Sequence, residues 1–356
     1  MSDTILFGAG ACGKNTLKYM REHGSEPLAF VDNDSKRWGS VCEGLRVLSP
    51  TEAEKLYPKS GYVVTIYQAC AHAVRQQVRD MGLKVVPLDS LLPVHRGIPS
   101  AEIEAKLRVI VREHKTLIEL TDQIKFRQTL DFDAQLPASD SKHTYFPYFI
   151  QRKTDEVYID CGAADGDTIR EFIKRWPTCK QIIAFEPDRE NFNKLSSEPC
   201  VAYNCALNNY DGHVRFASSG DMASHVDKNV DTVVSCFKLD TILYHTTPTY
   251  IKMDIEGSEL AAIEGARWNI ATNRPVLAIC AYHKAEDLWE IPLRLHELVP
   301  SYELRLRRYA SGPWELVWYA IPKERLLFVC ENCGTLLAYG DHEILYCQNP
   351  KCETWR

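Results

Sequence analysis

The stretch EVYIDCGAADGDTIREF at 156–172 limits the fold more than any other. An apolar run ends on Asp160, turns through Gly162 and Gly166, and passes into a helical pattern starting near Thr168. Glycines permit a tight turn and close approach of a ligand, and backbone N–H groups at a helix N-terminus favour an anionic group such as a carboxylate. Next comes IIAFEPD, whose acid Glu186 lies 20 residues after Gly166. An acid closing the second strand of such a unit is placed to accept hydrogen bonds from ribose hydroxyls. The competing explanation is a structural turn followed by a surface acid. Spacing alone does not separate NAD from S-adenosylmethionine, but DCGAADGDT lacks the GxGxxG of a dinucleotide site. VAYNCAL adds an adenine contact through the backbone of Cys205 and Ala206, which favours a single adenosine ligand.

The surrounding pattern is α/β. Strands are expected at 156–161, 181–186, 201–206, 212–217, 249–254 and 276–281, with helices between several of them. YELRLRRYA and WELVWYAIP then close the doubly wound sheet with an antiparallel hairpin. Upstream, TILF, PLAFVDND, GYVVTIY and KVVPL alternate with helical stretches and predict a small Rossmann-like domain over 1–93. Residues 94–147 are expected as a charged helical connector with a loop at 136–147, 148–322 as the central domain, and 323–356 as a cysteine-rich appendage.

The segments YIDCGAADGDT, AFEPD, NCALNNYDG, LDTIL and IKMDIEGSELAAIEGA resemble the FkbM-type methyltransferase family over about 145–322. The later AYHKAEDLWEIP and LRRYA resemble a branch of it, with Arg308 where that branch often has His. The resemblance implies a class I methyltransferase fold and S-adenosylmethionine-dependent O-methylation, commonly of a sugar hydroxyl in a glycan or related metabolite. By carry-over, Asp160, Gly162, Ala163, Gly166, Asp167 and Thr168 hold the amino-acid end of the cofactor, and Glu186 its ribose.

A hydroxyl acceptor needs alignment with the methyl group and a nearby base. Asp254 and His283 stand at strand carboxyl ends, where open α/β sheets bind ligands, and are the expected catalytic pair. Lys252, Glu256, Glu259, Tyr282 and Arg307 are candidate acceptor contacts. Asp254 and Glu256, two apart, also suit a divalent cation, or an acid pair before the helix SELAAIEGA.

Of 13 cysteines, nine are scattered between Cys12 and Cys280, where a reduced thiol packs as a small hydrophobe. The last four, Cys330, Cys333, Cys347 and Cys352, give C-x2-C, thirteen residues, then C-x4-C. Four thiolates from two knuckles satisfy tetrahedral zinc with no open position, so a structural zinc ribbon is expected. FGAGACGKN at 7–15 matches GxGxxG after a strand, with Asp32 lying 19 residues past Gly13. It resembles small Rossmann-type domains preceding some sugar-modifying enzymes. A structural or oligomerising role, a nucleotide-type ligand, and a dehydrogenase all remain open for it.

A net charge of -6 without a basic block argues against nucleic acid as the partner. No apolar run is long enough to span a membrane, and the N-terminus lacks a signal pattern, so a cytoplasmic protein is expected. The expected function is an O-methyltransferase acting on a small-molecule or glycan acceptor. The alternatives are an NAD(P)-dependent oxidoreductase using the first domain, and a non-catalytic binding protein acting through its ribbon.

Overall fold

An uninterrupted apolar run such as TILF suits a strand covered on both faces. In the computed structural model Thr4–Phe7 (β1) is buried throughout. It lies between β2 (Ala29–Val31) and β5 (Gly61–Val64); β3 (Val41–Cys42), β4 (Leu45–Leu48) and β6 (Lys84–Val86) complete the order β3-β4-β2-β1-β5-β6. Only β3 and β4 pair antiparallel. Side chains alternate across the pleat. Ile5, Phe7, Val31 and Val64 pack with Val74 and Val78 of the helix Ala71–Asp80, while Leu6, Phe30 and Val63 pack with Leu17 and Met20 of the helix Ala11–Glu22.

The described residues are 3–66, 71–88, 97–129, 134–217, 225–226, 232–310, 312–330, 335, 337–339, 345–347, 349 and 352. They form two units. The first comprises Met1–Ile98, Leu120–Ala138 and Arg308–Trp314; the second comprises Pro99–Glu119, Ser139–Arg307 and Glu315–Arg356. Among the described residues no helix is long and apolar enough to cross a membrane.

The second unit is built on β7 (Val157–Cys161), β8 (Gln181–Phe185), β9 (Val201–Tyr203), β14 (Tyr250–Met253), β15 (Val276–Cys280), β16 (Glu303–Arg308) and β17 (Leu316–Ile321). Their order is β16-β17-β15-β14-β7-β8-β9. The pairs from β15 through β9 are parallel, and β17 runs antiparallel to β15. β17 is thus inserted antiparallel beside β15, with β16 next to it at the sheet edge.

The expected strand 201–206 is broken. Asn204 Nδ2 donates to the carbonyls of Glu186 and Pro187 at 2.8 and 3.0 Å, which turns the chain after Tyr203. Ala206–Leu207 (β10) joins a separate sheet with β11 (Gly212–Ala217), β12 (His225–Val226) and β13 (Val233–Phe237), in the order β10-β13-β11-β12. Residues 212–217 thus lie outside the main sheet.

The connector holds two helices, Ala101–Ile110 and His114–Thr129. Ser100 caps the first through Ile103 N, and extended backbone at Val111 ends it. The end of the segment belongs to the second unit's core. Phe146 meets Tyr158, Phe172, Trp176 and Tyr250 at ring-centroid distances of 5.4–5.8 Å. Phe172 in turn stacks between Tyr158 and Trp176, at 4.2 and 4.9 Å. Each such aromatic pair adds about 0.5–1.5 kcal/mol beyond area burial, so the helix after the glycine turn is firmly anchored. Near the C-terminus β18 (Leu337–Tyr339) and β19 (Leu345–Cys347) pair antiparallel.

Candidate active site

The glycine turn leaves β7 with Gly162 at φ +82°, and a Cβ there would fall 1.9 Å from the carbonyl oxygen of Asp254. Gly166, at φ +86°, is the N-cap of the helix Asp167–Arg175. The turn is therefore pressed against the segment that follows β14, and a cavity of about 300 Å³ opens beside it.

From the turn, Gly162, Asp167 and Thr168 line that cavity; Glu186 follows β8, and Cys205 and Ala206 come from the break between β9 and β10. Asp254 and Glu256 line it after β14, and Tyr282 after β15. The structure brings these residues, expected in one site, together along one cavity. Each Glu186 oxygen accepts one backbone N–H, from Ala164 and Asp188, both at 2.8 Å. Burial raises the Glu186 pKa against those two bonds. Each oxygen keeps a lone pair for a hydroxyl donor.

Other expectations need correction. Asp160 is fully buried and is not among the lining residues. Its carboxylate accepts from the Thr168 hydroxyl and from Tyr158 Oη at 3.1 Å, and pairs with Lys252 Nζ at 3.1 Å. The cause is register: Lys252 on β14 lies directly opposite Asp160 on β7. Lys252 also donates to the Gly162 carbonyl at 2.7 Å. Burial would lower its pKa, but Asp160 and then Asp254 raise it, so Lys252 stays charged and committed to the protein. Asp160 thus holds the turn, and Lys252, which lines the cavity, is engaged by Asp160 and the Gly162 carbonyl. Ala163 is buried with its N–H on the Phe185 carbonyl, and Gly166 shapes the turn without lining the cavity.

Arg307 is nearly fully buried elsewhere in the unit. It grips Glu113 with two hydrogen bonds of 2.7 and 2.8 Å and lies 5.1 Å from the Phe149 ring centroid. Burial would raise Glu113, but Arg307 holds it below its ordinary value. This pair fixes β16 to the connector, and Arg307 is a structural residue.

Around Asp254 the structure assembles a denser cluster than the sequence indicated. Tyr145 Oη donates to Asp254 Oδ2 at 2.7 Å, and Tyr282 Oη reaches Oδ1 at 3.4 Å. His283 Nε2 stands 3.3 Å from Asp254 Oδ1 and 3.6 Å from Glu256 Oε2. On its other side Nδ1 meets Glu259 Oε1 at 2.8 Å. A carboxylate only accepts, so Nδ1 carries a proton. Burial would lower the His283 pKa, but Glu259, then Asp254 and Glu256, hold it up to about 10. In this cluster His283 favours its protonated form, with Glu259 on one side of the ring and Asp254 and Glu256 on the other. Burial would raise Asp254, yet Lys252, His283 and Tyr145 together lower it. Glu259 is fully buried between His283 and Ile255 N, so it is not an acceptor contact.

Among the lining residues that escaped the sequence reading, two carry ionisable groups beside Asp254. Tyr145 comes from the expected loop, and Glu315 immediately precedes β17. Burial, aided by the charge of Asp254, raises Glu315 to about 6. A glutamate in WELVW carries no recognisable spacing to the rest of the site; Tyr145 lies in a stretch of aromatic residues that at least signals a core.

Of the four clustered cysteines, Cys333 lies outside the described residues, and Cys347 is placed only as the end of β19. Cys330 and Cys352 bring their sulfurs to 3.5 Å. In the first unit, Gly13 lets the helix reach the strand, since a Cβ there would fall 1.9 Å from the Gly8 carbonyl oxygen. The Asp32 carboxylate accepts from Ala9 N and Asp34 N, both at 2.9 Å. Asp32 thus ties the glycine turn to the end of β2 by the same pair of backbone bonds that Glu186 makes in the second unit. A shallow depression of about 440 Å³ beside the first unit's glycine turn is lined by Gly10, Lys14 and Arg37.

The parallel sheet with its inserted antiparallel strand, and a cavity at the strand carboxyl ends, define a methyltransferase-like fold. Residues 160–307 match the model of the methyltransferase FkbM domain. The crystal structure of methyltransferase FkbM from Methylobacillus flagellatus KT overlays with a TM-score of 0.73 at 21% identity, covering 90% of each chain. That likeness establishes the fold. UDP-D-quinovosamine 4-dehydrogenase from Vibrio fischeri covers 24% of this chain and 75% of its own at 19% identity, with a TM-score of only 0.22. The fibrillarin/Nop5p complex covers 48% of this chain and 74% of its own at 12% identity, with a TM-score of 0.29. Neither overlay is close enough to bear on this chain. No curated protein matches it.

Proposed function

We propose that the second unit is an S-adenosylmethionine-dependent O-methyltransferase whose acceptor is a small polyhydroxylated molecule, a sugar or glycan by the family resemblance. One observation carries this most: Glu186, the glycine turn and Asp254 share a single cavity. The residues fit the cofactor. Glu186 keeps acceptor capacity for ribose hydroxyls, Cys205 and Ala206 line the cavity and would meet the adenine, and Asp167 and Thr168 stand at the helix N-terminus for the amino-acid end. When bound, the cofactor supplies an electrophilic methyl on a sulfonium, open to in-line attack by an oxygen.

The chain supplies alignment and a proton acceptor. Tyr145 and Tyr282 fix Asp254 in the wall of the cavity, where its carboxylate orients an acceptor hydroxyl. Glu315, with its pKa near 6, is ionised at neutral pH and takes the hydroxyl proton. The first unit is accessory: Asp32 is not among the residues that line the depression beside its glycine turn. Lys14 and Arg37 beside Gly10 favour an anionic, nucleotide-type ligand there.

The four cysteines form a structural zinc ribbon. Sulfurs sharing one tetrahedral zinc at about 2.3 Å stand roughly 3.7 Å apart, close to the 3.5 Å between Cys330 and Cys352.

The test is calorimetric titration with S-adenosylmethionine, S-adenosylhomocysteine and NAD(H), alongside Glu186→Ala. Adenosyl ligands should bind and weaken in the variant. Binding of NAD(H) alone would move the chemistry to the first unit. Cofactor binding without methyl transfer to any sugar offered would support a binding protein.

A further inference from the structure

We propose that Asp254, Glu256 and His283 form a divalent-cation site in the cavity wall, suited to Mn2+ or Mg2+, which grips two neighbouring oxygens of the acceptor. Each side chain offers one ligand atom, and the three atoms lie within 4.8 Å of one another. Acid pairs are common on surfaces; the histidine is what distinguishes this cluster. His283 is only 7% exposed, and its Nε2 makes no hydrogen bond although two carboxylates stand 3.3 and 3.6 Å away. Nδ1 is committed to the buried Glu259, so Nε2 is the atom presented to Asp254 and Glu256. A carboxylate behind the imidazole is the arrangement that fixes the ring and tautomer of a metal-bound histidine.

The spacing suits coordination. Ligand atoms held about 2.1–2.3 Å from a cation at right angles stand roughly 3.0–3.3 Å apart. Small side-chain shifts would bring all three onto one ion, which would take the position a proton otherwise fills on Nε2. Two carboxylates with one imidazole suit Mn2+ better than an all-oxygen set would, and do not exclude Mg2+. A six-coordinate ion held by three protein atoms leaves about three positions. Two adjacent acceptor oxygens, as in a vicinal diol, would fill two of them. Bound as a Lewis-acid ligand, the hydroxyl loses its proton more readily, and that proton passes to Glu315. Only this role for the ion rests on the methyltransferase reading; the site itself does not.

Mn2+ titrated into the full chain, with the free ion followed by electron paramagnetic resonance, should show one tight equivalent. Glu256→Gln, at the more exposed edge of the cluster, and Asp254→Asn should each weaken it tenfold or more. Both variants are titrated with S-adenosylhomocysteine to show that the cavity still forms. No Mn2+ uptake by the wild-type chain, or uptake that both variants leave unchanged, would overturn the site. S-adenosylhomocysteine binding without Mn2+ uptake removes the cation and leaves the proposed function standing. Mn2+ uptake without adenosyl-ligand binding does the reverse.

Discussion

Gly162 and Asp254 touch backbone to backbone: a Cβ on Gly162 would sit 1.9 Å from the Asp254 carbonyl oxygen, and Asp254 N donates to the Cys161 carbonyl at 3.0 Å. Neither side of this contact is a flexible side chain. Gly162→Ala must therefore strain a left-handed residue and push the ends of β7 and β14 away from each other, at a cost of about 3 kcal/mol. Urea denaturation should show the lowered midpoint, and adenosyl-ligand affinity should fall with it.

Asp160 and Lys252 are both buried, 3.1 Å apart. Removing either partner leaves an uncompensated buried charge, which costs about 3–5 kcal/mol. Asp160→Ala and Lys252→Met should each destabilise by that order. The double variant should recover a large share of the loss, measured as the coupling energy in a double-mutant cycle. Additive losses would mean that the two side chains do not act as a pair.

Glu315 has its folded pKa raised to about 6. A carboxyl raised in the fold contributes stability that is fully present below its unfolded pKa of about 4.3 and is lost as pH rises through 6. Glu315→Gln should accordingly be more stable than the parent at pH 8, by roughly 1–2 kcal/mol, and indistinguishable from it at pH 4. Methyl transfer should fall about 100-fold, and the acidic limb of its pH–rate profile, set near pH 6 by this group, should disappear.

The chain should carry one zinc, released on thiol modification and counted with a colorimetric chelator. Cys330→Ser and Cys352→Ser should each abolish that stoichiometric metal, because their sulfurs stand 3.5 Å apart. Zinc retained by both variants would exclude a shared site.

The sequence made the strands legible because most are covered on both faces and leave continuous apolar runs, as in β1 and β7. The turn was legible because only glycine satisfies the geometry at Gly162. Charged residues were the difficulty. Asp160 and Arg307 sit at strand ends just as ligand-binding residues do, and what separates them is the partner opposite, which requires register or long-range pairing to see. Asn204 looks like any polar residue in a strand until its amide is found on the Glu186 and Pro187 carbonyls. His283 was identifiable as a strand-end histidine, but its protonation depends on Glu259, Asp254 and Glu256 converging on it.

The family match runs from 160 to 307, and three residues of the cavity stand outside it: Thr144 and Tyr145 before, Glu315 after. Tyr145 and Glu315 bear on Asp254, one by a hydrogen bond and one by its charge. On the proposed function, a change of acceptor could then proceed in the flanking segments alone, with the glycine turn left as it is.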